Sequence, residues 1–184
     1  TDHHDDPNEA AAIARDWFDA RHLTAIMDVS GSSEALIVQA IAETRDKIVI
    51  LDAPGANRLA EEACTASSVH YTNDTYAVAH TLGKAIVANG GDTWFFITVD
   101  YSYGYDLEDE TAAVVKANGG KVLGHARHPL GAEDLSSYLL QAQHSGAKII
   151  GLANAGTDTT RVVERAPALG MVPGPQHFAG LSMR

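Results

Sequence analysis

Short apolar runs rich in β-branched and aromatic residues alternate along this chain with segments of helical periodicity. The clearest runs are Ile48–Leu51, Thr93–Val99 and Ile149–Ala153, and each is followed by turn-forming residues and then by a helical pattern. Such alternation is typical of repeated βαβ units. It predicts an α/β fold with parallel sheets flanked by helices. The continuous apolar run Ile48–Leu51 further suggests a strand that is buried on both faces.

The alternation pauses near residue 73 and then restarts, which predicts two lobes over residues 1–73 and 74–184. In the second lobe we expect a helix over Tyr105–Asn118 and a strand over Lys121–His125. The chain opens on a helix near Pro7 with no strand before it, and it stops just after a strand. We therefore expect an incomplete segment of a larger protein.

Composition excludes several classes of function. The formal net charge is −11, with 24 acidic and 13 basic residues, so a nucleic-acid backbone would be repelled. No apolar stretch approaches the length of a membrane-spanning helix, so no direct membrane insertion is expected. The single cysteine, Cys64, cannot form a disulfide within the chain, and free cysteines are usually buried. The polar run Asp2–Asp6 could bind a divalent metal, but terminal polar runs are usually solvated, and no metal or cofactor is expected.

Candidate binding residues follow from the position of loops in parallel sheets. Ligands of such sheets bind beyond the carboxyl ends of the strands, where loops lead into helix N-termini. Four loops meet this condition: Ser30–Ser33, Asp52–Asn57, Asp100–Tyr105 and Asn154–Asp158.

The first two loops offer polar groups and a close backbone approach. Ser32 and Ser33 stand where a helix begins, at a surface-facing loop, and their hydroxyls suit a carboxylate or simply cap the helix. In Pro54, Gly55 and Ala56, the glycine is free to adopt a positive φ, which would bring the backbone near a ligand. An ordinary tight turn explains this second loop equally well.

The other two loops combine aromatic and small residues. Tyr101 or Tyr103 could form the wall of a pocket, because three tyrosines are concentrated in five positions after a strand. Asn154, Ala155 and Gly156 precede a helix, and Asp158 could meet an amine or lie in the first helical turn. No Gly-x-Ser-x-Gly, Walker-type or Gly-x-Gly-x-x-Gly motif is present, so the sequence predicts a binding protein and not an enzyme.

With these loops placed, the chain resembles the type I periplasmic binding proteins, specifically the substrate-binding proteins of branched-chain amino acid ABC transporters. The resemblance spans nearly the whole chain and rests on the order and spacing of four segments: Ala14–Asp19, Thr93–Gly104, Ala117–Gly124 and Gly146–Gly156. It implies two Rossmann-like lobes that close on a small-molecule ligand in the cleft. It also implies a periplasmic or other extracytoplasmic location and delivery of the solute to a membrane permease.

Carried over by position, the resemblance places ligand contacts at Ser32 or Ser33, at Pro54–Ala56, at Tyr101 or Tyr103, and near Asn154–Gly156. One departure concerns Ala56, where amino-acid-binding members typically have a Thr or Ser that contacts the ammonium group. The missing hydroxyl argues against an α-amino acid itself, and the expected solute is a small carboxylate-bearing, amino-acid-like or aromatic molecule. The alternatives are a ligand-sensing or regulatory domain of the same fold and, less favoured, an enzyme on a flavodoxin-like scaffold.

Overall fold

The computed structural model describes residues 2–182, which form two compact units divided between Asp74 and Thr75. Each unit is a parallel β-sheet with flanking helices, as the alternating sequence pattern predicts. No helix among these described residues is both long and apolar enough to cross a membrane.

The first unit contains a three-stranded parallel sheet in the order β1-β2-β3. Its helices and strands are α1 (Pro7–Arg15), β1 (Ala25–Met27), α2 (Ser32–Glu43), β2 (Ile48–Leu51) and β3 (Ser68–His70). Helix α1 begins with Pro7 at its first position, and the Asp6 side chain caps it by accepting a hydrogen bond from the Asn8 N–H at 2.8 Å. A π-helical turn, Asp16–Ala20, extends α1, and a 3₁₀ turn, Asn57–Leu59, follows β2.

Among the described residues, helices cover one face of this sheet. Ile26, Val49 and Leu51 are buried in a common cluster with residues of α1 and α2. On the opposite face Met27 is 64% exposed and Ile48 is 51% exposed. The expectation that Ile48–Leu51 is buried on both faces was therefore wrong, because α1 and α2 pack on the same side of the sheet.

The second unit contains a four-stranded parallel sheet in the order β5-β4-β6-β7. Its helices and strands are α3 (Thr75–Val78), α4 (Lys84–Ala88), β4 (Thr93–Val99), α5 (Ser102–Ala117), β5 (Lys121–His128), α6 (Ser136–His144), β6 (Ile149–Ala153), α7 (Gly156–Arg165) and β7 (His177–Gly180). A π-helical turn, Ala79–Gly83, joins α3 to α4, and a 3₁₀ turn, Ala166–Leu169, extends α7.

Helices cover both faces of the second sheet, and the residues of its central strand β4 alternate between them. Trp94 and Phe96 pack with α5, whereas Phe95 and Ile97 pack with α6 and α7. This alternation is expected for a strand buried on both sides, since successive side chains point to opposite faces. The core of this unit is therefore split into two layers by the sheet.

Three details of the chain differ from the sequence expectations. Helix α5 begins at Ser102 and not at Tyr105, and strand β5 continues past residue 125 to His128. The longer β5 is stabilised by its ladder with β4, in which Val99 pairs with His128. Cys64 is exposed and not buried, because it lies in a turn on the surface that follows the 3₁₀ segment.

Candidate functional site

In the first unit, the loops after β1 and β2 are joined by a hydrogen bond. The Ala56 N–H donates to the Ser32 hydroxyl oxygen at 3.3 Å, across 24 residues of sequence. Ser32 is only 2% exposed, so its hydroxyl lies inside the unit and not on a surface-facing loop. Ser33, the next residue, is half-buried. The structure thus gives Ser32 a partner in the second loop, while a ligand contact by either serine remains a prediction.

A histidine that the sequence analysis did not single out also contacts the second loop. Nε2 of His70, the last residue of β3, donates to the Pro54 carbonyl oxygen at 2.7 Å. Pro54, Gly55 and Ala56 are all buried. Gly55 is not among the glycines with a positive φ, so the loop turns without the left-handed conformation that the sequence had suggested. The only sequence signal for His70 is its position at the carboxyl end of a strand.

In the second unit, the strand order defines a point where the connections change direction. The chain passes from β4 to β5 on one side and then crosses back to β6 on the other side. In open parallel sheets, ligands bind in the crevice at such a switch point. Here the switch point lies between the carboxyl ends of β4 and β6. The loops that leave these ends contain Tyr101 and Asn154–Gly156.

The two candidate tyrosines occupy different environments at this switch point. Tyr103, in the first turn of α5, is buried in the core, whereas Tyr101, the N-cap residue of that helix, is half-buried at the edge of the same cluster. The ring centroids lie 6.2 Å apart. Ala155, from the loop after β6, is partly buried against this cluster as well. Tyr101 is therefore the more exposed of the two rings, in the loop that leaves the carboxyl end of β4, and Tyr103 packs beside it in the core.

Gly104 explains why α5 starts so close to the end of β4. A Cβ atom at this position would collide with the Val99 carbonyl oxygen. The absence of a side chain lets the first turn of the helix lie directly on the strand end. The helix N-terminus, with its partial positive charge, is therefore placed at the switch point.

The Asn154 side chain is completely buried and is used within the protein. Its Nδ2 lies 3.3 Å from Nε2 of His128, and its Oδ1 accepts from the Thr159 hydroxyl at 2.7 Å. Nδ1 of His128 lies 2.9 Å from the Pro129 carbonyl oxygen, which can only accept, so Nδ1 carries the proton and Nε2 accepts from Asn154. Because the Asn154 side chain already has these partners, a ligand contact by the Asn154–Gly156 segment would come from its backbone or from Ala155 and Gly156.

Ala155 and Gly156 stand at the start of α7. Ala155 is the extended N-cap residue and makes no side-chain capping bond, while Gly156 is exposed and has a φ of +56°. A Cβ atom on Gly156 would meet nothing within 4 Å, so the backbone conformation and not crowding favours glycine here.

A second polar group in the same unit ties the loop after β5 to α7. The Gly131 N–H donates to Oδ2 of Asp158 at 3.1 Å, and Arg161 donates to the carbonyl oxygens of Gly131 and Ala132 at 2.9 and 3.0 Å. Asp158 is 1% exposed and also accepts from Arg161 at 3.4 Å. The Asp158 carboxylate is thus occupied inside the unit, which argues against the amine contact considered from the sequence.

Charged groups continue along α5 and β5. Oε2 of Glu108, a buried residue, accepts from the Thr98 hydroxyl at 2.6 Å, and Nδ1 of His125 lies 2.7 Å from its Oε1. Nearer the carboxyl edge, Tyr105 donates to the Asp100 carboxylate, and this hydrogen bond raises the pKa of Tyr105. The guanidinium of Arg127 lies 4.5 Å from the centre of the Tyr105 ring. These contacts satisfy one another and form no cluster of metal ligands: within residues 2–182, no group of three His, Cys, Asp or Glu could hold a metal ion.

Comparison with known proteins agrees with this architecture. The sequence model of the periplasmic binding protein family matches residues 1–184. The chain belongs to this family. No curated protein is significantly similar to it.

Three solved structures indicate how near the relatives are. A periplasmic binding protein from Burkholderia mallei is 46% identical, with a TM-score of 0.95 over 100% of this chain and 48% of that one. A branched chain amino acid ABC transporter periplasmic ligand-binding protein from Burkholderia xenovorans is 30% identical, with a TM-score of 0.73 over 97% of this chain and 48% of that one. A solute-binding protein of an ABC transporter from R. palustris, in complex with 4-hydroxybenzoate, is 18% identical, with a TM-score of 0.84 over 94% and 47%. The chain therefore spans about half the length of these relatives.

Proposed function

We propose that this periplasmic binding protein captures a small carboxylate-bearing solute, aromatic or amino-acid-like, for an ABC transporter. The observation that supports the proposal best is the switch point of the second unit. Two helices, α5 and α7, begin there from neighbouring strands, and neither has a side-chain cap at its N-cap residue. Each helix N-terminus has a partial positive charge of about half an elementary charge, which favours an anion.

The residues around this point suit an aromatic acid. Tyr101 presents a half-buried ring for stacking beside the helix N-termini, while the carboxylate of Asp158, which would repel an anion, is occupied by Gly131 and Arg161. A carboxylate directed at the helix ends would place an attached ring against Tyr101.

The first unit gives a reason to favour an aromatic acid over an α-amino acid. Ala56 offers no hydroxyl to an ammonium group, and its N–H already donates to Ser32. The two preceding residues of the loop, Pro54 and Gly55, contribute only backbone and apolar groups. The R. palustris protein, which has this fold, holds 4-hydroxybenzoate. We extend that ligand class to this chain as part of the proposal.

Location and partner follow from the same proposal. A binding protein of this family acts outside the cytoplasm and passes its solute to a membrane permease. Ser32, Ser33, Pro54–Ala56, Tyr101, Tyr103 and Asn154–Gly156 remain the proposed ligand-binding residues, with Tyr103 and the Asn154 side chain acting indirectly from buried positions. No catalytic step is proposed.

Isothermal titration calorimetry on the intact protein that contains this chain tests the proposal. We expect saturable binding of 4-hydroxybenzoate or benzoate, and weaker binding of leucine. Replacing Tyr101 by Ala should weaken binding about 5-fold, because an aromatic contact contributes roughly 1 kcal/mol. The control is Tyr76→Ala, since Tyr76 is a partly exposed residue of α3 that stacks on His80. Absence of binding for all three compounds would refute the proposed ligand class.

A further inference from the structure

His128 is completely buried at the carboxyl end of the edge strand β5, two strands away from β6. Its ring nevertheless reaches Asn154, the first residue after β6, on the face of the sheet covered by α6 and α7. Tyr138 of α6 packs edge-on against the ring, with the centroids 5.8 Å apart. The His128–Asn154 pair therefore spans the carboxyl end of β4, directly beneath the switch point.

The hydrogen bonds of this pair form a continuous chain with a defined direction. The Thr159 hydroxyl donates to Asn154, Asn154 donates to His128, and His128 donates to the Pro129 carbonyl oxygen. The backbone reinforces the same position, because the Asp100 N–H donates to the His128 carbonyl oxygen at 2.8 Å. Each ring nitrogen of His128 and each amide group of Asn154 thus has a partner.

We propose that His128 is a positioning residue for the solute site: through Asn154 and Thr159 it fixes the first turn of α7 beside the carboxyl end of β4. The inference rests on the proposed function, in which Ala155, Gly156 and the start of α7 meet the carboxylate. Asn154 cannot fix this turn alone, because the orientation of its amide depends on its two hydrogen-bond partners, His128 and Thr159. These buried hydrogen bonds thus fix the first turn of α7 relative to the edge strand β5.

Two substitutions separate this role from ordinary packing. His128→Leu fills a similar space but leaves the Asn154 amide without its acceptor, whereas His128→Gln offers an oxygen in place of Nε2. Thr98→Val is the matched control, because it also removes one buried hydrogen bond from the same sheet, the bond to Glu108. Each substitution is made separately in the intact protein.

The first measurement needs no ligand. Hydrogen exchange followed by mass spectrometry on the peptide containing residues 154–163 should show about 10-fold faster exchange in His128→Leu, because an unpartnered buried amide loosens the turn. His128→Gln should stay near the wild-type rate, and Thr98→Val should leave this peptide unchanged. Equal exchange in His128→Leu and wild type, or the same increase in Thr98→Val, would overturn the positioning role.

The second measurement uses calorimetry with 4-hydroxybenzoate as the probe. His128→Leu should bind about 10-fold more weakly, as expected for the loss of one buried hydrogen-bond partner, and His128→Gln should recover most of the affinity. If wild type binds but His128→Leu binds equally well, the positioning role is refuted. If wild type does not bind, the proposed ligand class is refuted, and the exchange measurement alone decides the role of His128.

Discussion

The hydroxyl oxygen of Ser32 accepts a hydrogen bond from the backbone N–H of Ala56 at 3.3 Å. Both residues are buried, and they belong to loops that follow neighbouring strands of the first sheet. One side chain at the start of α2 therefore fixes the backbone of the adjacent loop. His70 fixes the same loop at Pro54.

Replacing Ser32 by Ala should destabilise the protein by about 1–3 kcal/mol, because the buried Ala56 N–H would lose its acceptor. Urea-induced unfolding measures the change in the free energy of unfolding. Ser30→Ala is the control, since Ser30 is exposed and its hydroxyl oxygen lies 3.5 Å from Nε2 of His3. Equal stability of the Ser32 and Ser30 variants would show that the hydrogen bond contributes nothing measurable.

Replacing Gly104 by Ala should lower the free energy of unfolding by about 1–3 kcal/mol through overpacking. The added methyl group meets the Val99 carbonyl oxygen, so α5 must move away from β4. Ala113→Ser, on the exposed side of the same helix, controls for helix propensity. A Gly104→Ala variant as stable as wild type would contradict the close packing of the helix on the strand end.

Gly156 allows a test of backbone strain without steric crowding. Gly156→Ala should cost about 1–2 kcal/mol because φ is +56°, whereas Gly156→Asn should cost less, since Asn tolerates the left-handed region. Thermal or urea unfolding of the two variants gives the comparison. The opposite order of stability would mean that the residue leaves the left-handed conformation when substituted.

The ion pair between Asp92 and Lys148 predicts a pH dependence. The hydrogen bond from Lys148, at 2.8 Å, holds the pKa of Asp92 below its usual range. A lowered folded-state pKa stabilises the protein above the ordinary pKa of Asp, and this stabilisation is lost as the pH falls through the lowered value. Asp92→Asn should therefore be less stable than wild type at neutral pH, and the two should converge in acid.

Urea unfolding at several pH values checks that convergence. Asp109→Asn serves as the control, because Asp109 is an exposed residue of α5. A stability difference between Asp92→Asn and wild type that is constant with pH would exclude the ion pair as its source.

The sequence predicts most of the fold because the signals involved are local. The runs Ile48–Leu51, Thr93–Val99 and Ile149–Ala153 are strands with the predicted limits. The end of β5 was missed, since Ala126–His128 has little strand propensity and extends only through its pairing with β4. The start of α5 was missed because Ser102–Gly104 resembles a loop, whereas contact with Val99 makes it helical.

The sequence predicts which loops leave the carboxyl ends of the strands but not what their side chains contact, and ligand binding by these loops stays a prediction. Parallel topology places the ends of β1, β2, β4 and β6 correctly, so the four loops could be identified from the sequence. Whether Asn154 faces a ligand or His128 depends on a contact across 26 residues, and nothing in the local pattern encodes it. His70 and His128 were overlooked for the same reason.

The uncovered face of the first sheet has a practical consequence. Met27, Ile48 and Val69 expose apolar side chains next to one another across three parallel strands, with Ile50 among them. An exposed apolar patch of this kind should promote self-association of the protein at high concentration. Light scattering should rise with protein concentration, and a charged residue at Met27 should keep the sample monodisperse.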